Sequence, residues 1–142
     1  MASHPLFLNA GNAGPFTLDG TRTYRIGERD VALVDPGPLA EDHVRGLVSW
    51  VRDARSVRIL LTHGHGDHAG CAPALALEIG AHVFGPKGLS GVDRPLEDGE
   101  SVPTDDGDLV ALHTPGHTAD HLSYHWRDRN ALFVGDLLLG RG

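Results

Sequence analysis

Apolar and polar positions repeat along the chain with two different periods, and each change of period marks an element. Residues 21–26 alternate and include Thr23 and Tyr24, residue types that suit a pleated surface, so this stretch reads as a strand. Gly27-Glu28-Arg29-Asp30 reads as a turn. Residues 31–34 form a second apolar run that pairs with the first as a hairpin, stopped by Asp35-Pro36-Gly37-Pro38. The period then lengthens. Val44, Leu47, Val48 and Val51 fall at helical spacing within 41–54, and Glu41 and Asp42 suit the positive end of that helix. Residues 57–61 read as a short buried strand. Pro73 fits the first turn of a helix reaching about Ile79, with Gly80 ending it. Residues 82–84, 109–113, 121–126 and 131–134 read as further strands, with a turn over 127–130. Residues 85–108 are rich in turn formers and show no clear period. Strands, helix, strand, helix and strands in that order predict a layered α/β architecture.

Composition narrows the function. With 142 residues, 40% of them hydrophobic and 22% charged, the chain is long enough for one domain, 1–142, with its own core. The formal net charge of -7 argues against a broad basic face for nucleic acid. A single cysteine, Cys71, leaves no intrachain disulfide and no cysteine zinc cluster, and it reads as a small buried residue near a helix start. Residues 1–10 lack a basic segment followed by a long apolar one, and no apolar run approaches the ~20 residues of a membrane span, so a cytoplasmic protein without a membrane partner is expected.

The unusual figure is ten histidines, eight of them between His63 and His125. Thr62-His63-Gly64-His65-Gly66-Asp67-His68 sets three imidazoles and a carboxylate within six residues, directly after a buried strand. Imidazole nitrogen and carboxylate oxygen are zinc ligands. Gly64 and Gly66 let the loop curl so that alternate side chains converge. The carboxyl end of a strand is also where open α/β sheets place their ligands.

This run matches the HxHxDH motif of the metallo-beta-lactamase superfamily. Thr114-Pro115-Gly116-His117-Thr118 resembles the family's second metal motif, Gly135-Asp136 its third, and Val34-Asp35-Pro36-Gly37 its early aspartate turn. The stretch from Ala13 to Tyr24, with Thr118-Ala119-Asp120-His121, is similar to the branch holding beta-lactamase-like endoribonucleases and hydroxyacylglutathione-hydrolase-like proteins. The resemblance implies an αββα sandwich. It implies that His63, His65 and His117 hold a first metal, that Asp67 and His68 begin a second site, and that Asp136 bridges the two. The implied cofactor is one or two Zn2+, with iron or manganese as alternatives. The nucleophile would be a hydroxide held between the metals, with Asp67 as the catalytic residue that also steadies it. Asp35 is expected to form the turn or to orient a ligand histidine. His121 is expected to be structural, with substrate contact as its alternative. His113 is either near the site or packed. His4, His43, His82 and His125 are expected at the surface or in packing.

The chain departs from the family in two places. Arg22 stands in a stretch that often reads Thr-Asn-Thr in this branch. The last histidine ligand of the family and most of its second half have no counterpart before Gly142. A C-terminally truncated domain, first half plus part of the second, is therefore expected, with self-association through an exposed edge or face. The function expected is zinc-dependent hydrolysis of an ester, thioester, lactone or phosphodiester, with a small acyl or thioester substrate favoured. An RNA endonuclease of the same fold, an iron oxidoreductase and a non-catalytic metal-binding remnant are the alternatives.

Overall fold

The computed structural model describes residues 6–9, 22–37, 39–63, 69–114, 121–134 and 137–140. Strands β1 (Leu6–Asn9), β2 (Arg22–Ile26) and β3 (Asp30–Val34) pair antiparallel in succession. The chain then crosses through α1 (Glu41–Trp50) to β4 (Ser56–Leu60) and through α2 (Ala72–Ile79) to β5 (His82–Gly85). Strand β6 (Arg94–Pro95) closes the row, and β3 to β6 run parallel, giving the order β1-β2-β3-β4-β5-β6. The helices are what let β3, β4 and β5 run the same way, because a parallel pair needs a long crossover.

The second sheet is antiparallel throughout. It takes the order β11-β10-β9-β8-β7 from β7 (Ser101–Val102), β8 (Leu109–His113), β9 (Leu122–Trp126), β10 (Ala131–Val134) and β11 (Leu137–Gly140). A 3-10 turn, Arg127–Arg129, joins β9 to β10 and ends on Asn130 in the left-handed region.

Alternation along the strands sorts side chains into two cores. Ala32, Val34 and Leu60 meet Leu109, Ala111, Tyr124, Trp126 and Phe133 between the sheets. Val31, Leu33, Ile59, Leu61 and Val83 point the other way, onto Leu47 and Val51 of the α1 segment and Ala72 and Leu75 of α2. The described residues thus form three layers of an αββα sandwich, helices, first sheet and second sheet.

The expected hairpin, the two helices and the central strand are all present. Helix α1 stops at Trp50 instead of running to residue 54. Val51 leaves helical geometry, and turns follow through Asp53. The α2 helix ends on Gly80 at φ 68°, the left-handed stop expected of it. Strands β1, β6, β7 and β11 were not assigned from the residue pattern. Two of them are two residues long, and the apolar run of β11 carries no alternation to read.

Candidate metal centre

Strands β3 and β4 are parallel neighbours with Val34 opposite Leu60, so the segments leaving them emerge side by side. From β3 comes Asp35, fully buried and held at φ 53°, a left-handed conformation uncommon for a residue with a side chain. Four bonds hold it there. Its N–H donates to the Leu60 carbonyl at 2.8 Å, and its own carbonyl accepts the Thr23 hydroxyl at 2.9 Å. Its carboxylate accepts the Thr62 N–H at 2.8 Å and the Thr62 hydroxyl at 2.7 Å. A left-handed non-glycine residue costs of order 1–3 kcal/mol and persists where surrounding bonds over-determine it, commonly at functional sites.

From β4 comes Thr62, and then His63, buried with its Nδ1 2.8 Å from the Thr62 hydroxyl oxygen. The hydroxyl has one proton, and the Asp35 carboxylate can only accept. That proton therefore goes to Asp35, and His63 must donate its own Nδ1 proton to Thr62. Nε2 is left as the nitrogen carrying the lone pair. Asp35 thus sets the tautomer of His63 through Thr62, the arrangement a ligand imidazole needs.

The second sheet supplies the opposite wall. The Leu122 N–H donates to the Thr62 carbonyl at 2.9 Å, and the Tyr124 hydroxyl donates to the Leu61 carbonyl at 2.5 Å. Burial, with the Asp35 carboxylate nearby, pushes the Tyr124 phenol well above its ordinary value, so it stays a protonated donor. His121, just before β9, stacks on His63 with ring centroids 5.3 Å apart and planes 25° apart. Its Nδ1 lies 3.1 Å from the Thr114 hydroxyl, which in turn lies 2.7 Å from the Ser123 hydroxyl.

Behind Asp35, the turn is clamped from α1. His43 is buried, and its Nε2 donates to the Pro36 carbonyl at 2.6 Å. Gly37 sits at φ 97°, and a Cβ there would lie 2.8 Å from His43 Nε2, so glycine is required both for the turn and for the close approach. Cys71 donates its N–H to the Gly37 carbonyl at 2.9 Å. Burial pushes its thiol up to about 12, as expected of a packing residue.

The structure therefore brings together Asp35, His63 and His121. His65, Asp67, His68, His117 and Asp136 lie outside the described residues, as does His4. Among the described residues no three His, Cys, Asp or Glu side chains are placed to hold one metal ion. His113 ends β8 exposed, its N–H donating to Asp98 at 2.7 Å. His82 is exposed beside Asp93, and His125 lies near Asn130. Thr62, Thr114, Ser123 and Tyr124 were not singled out in the sequence. A hydroxyl directly before the first histidine was the available signal for Thr62, and the residue pattern of 121–126 gave none for Tyr124.

The family model described as the metallo-beta-lactamase superfamily matches residues 17–92 and 86–142. The chain belongs to the metallo-beta-lactamase superfamily. A superfamily relative, lactamase-like protein aptB from Emericella nidulans, is 38% identical over 93% of this chain and 44% of its own length. An atrochrysone carboxyl ACP thioesterase from Aspergillus chevalieri is 37% identical over 94% of this chain and 45% of its own length. The chain thus spans under half the length of these relatives. Among solved metallo-beta-lactamase folds, ETHE1 from Myxococcus xanthus superposes with a TM-score of 0.67 at 28% identity, covering 86% of this chain and 53% of that one. The B3 metallo-beta-lactamase BLEG-1 gives the same TM-score at 22% identity, covering 89% of this chain and 70% of that one, and shows the fold alone.

Proposed function

We propose that this chain carries the metal-binding half of a zinc-dependent hydrolase acting on an acyl thioester. The observation that carries the reading is the Asp35–Thr62–His63 chain of hydrogen bonds. A buried carboxylate, a strained backbone and a shared hydroxyl together fix one imidazole in the tautomer that presents Nε2. The donor chemistry fits zinc. His63, His65 and His117 would hold a first ion, with Asp67, His68 and Asp136 around a second. Lewis acidity at the thioester carbonyl and activation of water near neutral pH are what zinc supplies when bound. The protein's own share is positional. Asp35 and Thr62 hold the His63 proton on Nδ1, and Leu122 and Tyr124 fix the backbone of residues 61 and 62 against the second sheet. His121 packs on the His63 ring and limits its tilt. Asp67 is assigned the catalytic role, holding the attacking water.

Two curated relatives named as atrochrysone carboxyl ACP thioesterases, at 37% and 35% identity, support a thioester as the substrate class. The net charge of -7 supports an acyl substrate over RNA. The test is zinc titration by calorimetry with hydrolysis of an acyl-pantetheine thioester in parallel. Zinc uptake with turnover is expected, and His65→Ala should abolish tight zinc binding and turnover together. Zinc uptake without turnover would reduce the chain to a metal-binding remnant, and unchanged zinc affinity in His65→Ala would overturn the ligand set.

A further inference from the structure

Asp35, Thr62 and His63 follow the carboxyl ends of β3 and β4. At the opposite end of the strands, the amino ends of β4 and β5 border a cavity of about 470 Å3, a size that suits a small molecule. Val48, Val51, Val57 and Ile79 give it apolar walls. Arg52, Arg55, Arg58 and His82 also line it, and among the described residues no Asp or Glu does, in a chain with 19 acidic and 12 basic residues. Two of these four are already engaged. Arg55 donates through Nε and one terminal nitrogen to Asp30, which Ser56 also bonds. His82 lies 3.3 Å from Asp93 and 3.4 Å from Arg94. Arg52 and Arg58 remain, and among the described residues neither forms an ion pair. Arg52 is exposed just past α1, while Arg58 is half-buried and gives one N–H to the Pro103 carbonyl at 3.4 Å.

We infer that this cavity is a second binding site, for an amphiphile with a carboxylate or phosphate head on a hydrocarbon tail. The planar guanidinium fork suits the oxygens of either head. A bare small anion would leave the apolar walls in water, and a hydrocarbon without a head would cover two guanidinium groups and give them no partner. A long polyanion would meet the net charge of -7 on the rest of the chain. Helices α1 and α2 both end at the cavity, where unbonded carbonyls would repel an anion. Those carbonyls are occupied. Leu47 and Ser49 accept from Val51 and Arg52, Trp50 from Arg25, and Ala76 from Ala81. The five residues of β4, roughly 16 Å of strand, separate the cavity from the segment that carries His63, so the site is independent of the hydrolase reading.

The test uses metal-depleted protein, so that no probe is held by chelation, and follows amide NMR shifts with octanoate and octyl phosphate as probes. Octanol is the comparator without a charged head, and acetate the one without a tail. Shifts centred on Arg52, Val57 and Gly80 are expected, with the tighter of the two headed probes binding roughly tenfold tighter than either comparator and weakening as salt is raised. Arg52→Gln changes an exposed side chain and keeps the fold. It should weaken the headed probes roughly threefold to tenfold and leave octanol unmoved. Tighter octyl phosphate assigns a phosphate head and tighter octanoate a carboxylate, and either supports the site. Equal binding of octanol or of acetate, or shifts confined to other residues, would overturn it. Shifts of the same amides on dilution of the protein alone would give the cavity to a neighbouring copy and likewise overturn it.

Discussion

The Thr62 hydroxyl has a single proton to give, and its two neighbours 2.7 and 2.8 Å away decide where it goes. Asp35→Asn changes that decision with almost no change of shape. The new amide would donate to the Thr62 oxygen, the hydroxyl would turn its proton toward His63 Nδ1, and the His63 proton would move to Nε2. Asp35→Asn is expected to lower zinc affinity roughly 10–100-fold while the chain stays folded. Nitrogen chemical shifts of the His63 ring in metal-depleted protein check the tautomer directly, and an unchanged ring would sink the relay. Cys71 allows a simpler test. With its thiol pushed up to about 12 from an ordinary 9.0, the thiolate at neutral pH falls roughly a thousandfold. A disulfide reagent should therefore label it only as fast as the chain opens, and fully in denaturant. At this scale the sequence disclosed the chemistry of residues 62–68 and the turn at Asp35. It could not disclose that Thr62 links them, because 27 positions separate Asp35 from Thr62 and only parallel pairing of β3 with β4 closes that distance.

Helix α1 is anchored to the Asp35 turn by a histidine. Burial holds His43 below its ordinary 6.5, only partly offset by its bond to the Pro36 carbonyl. In the unfolded chain the ring protonates as pH falls through about 6.5, while the folded ring resists. The contribution of His43 to stability is therefore complete above that pH and is lost as pH drops toward the lower, folded value. Melting temperature should fall between pH 7 and 5. His43→Gln, which keeps a donor for Pro36, should flatten that slope, and an unaltered slope would show that other groups carry it. Asp30 behaves differently. Hydrogen bonds from Arg55 and Ser56 hold its carboxyl at about 2, so the tie between β3 and β4 persists until strongly acid conditions. The long amphipathic stretch of α1 was legible because four apolar positions repeat at helical spacing, and β4 because a buried strand is a short continuous run. Strands β6 and β7 were not, since two residues cannot show a period, and partners distant in sequence define them.

The two faces of the second sheet are treated differently. One face enters the core between the sheets. On the other, Val110, Leu112, His125, Leu132 and Val134 alternate with the buried positions and stay partly exposed, and no described helix packs there. A contiguous apolar face of this kind associates. The 142-residue chain is expected to sediment above monomer mass, and Leu132→Lys should return it to monomer. Sedimentation velocity across a dilution series checks both, and a monomeric parent chain would refute the expectation. A layered α/β architecture followed from element order and its two sheets from the family resemblance, but which face no described helix covers did not, because a strand's alternation has no label for inside until its partner sheet is known. The Leu122 amide on the Thr62 carbonyl and the Tyr124 phenol on the Leu61 carbonyl act as two rivets, set through adjacent residues of one strand end. Shear between the layers would have to break both together, and any displacement they transmit arrives first at residue 63. Adjustment to a bulkier guest therefore cannot come from sheets sliding past each other.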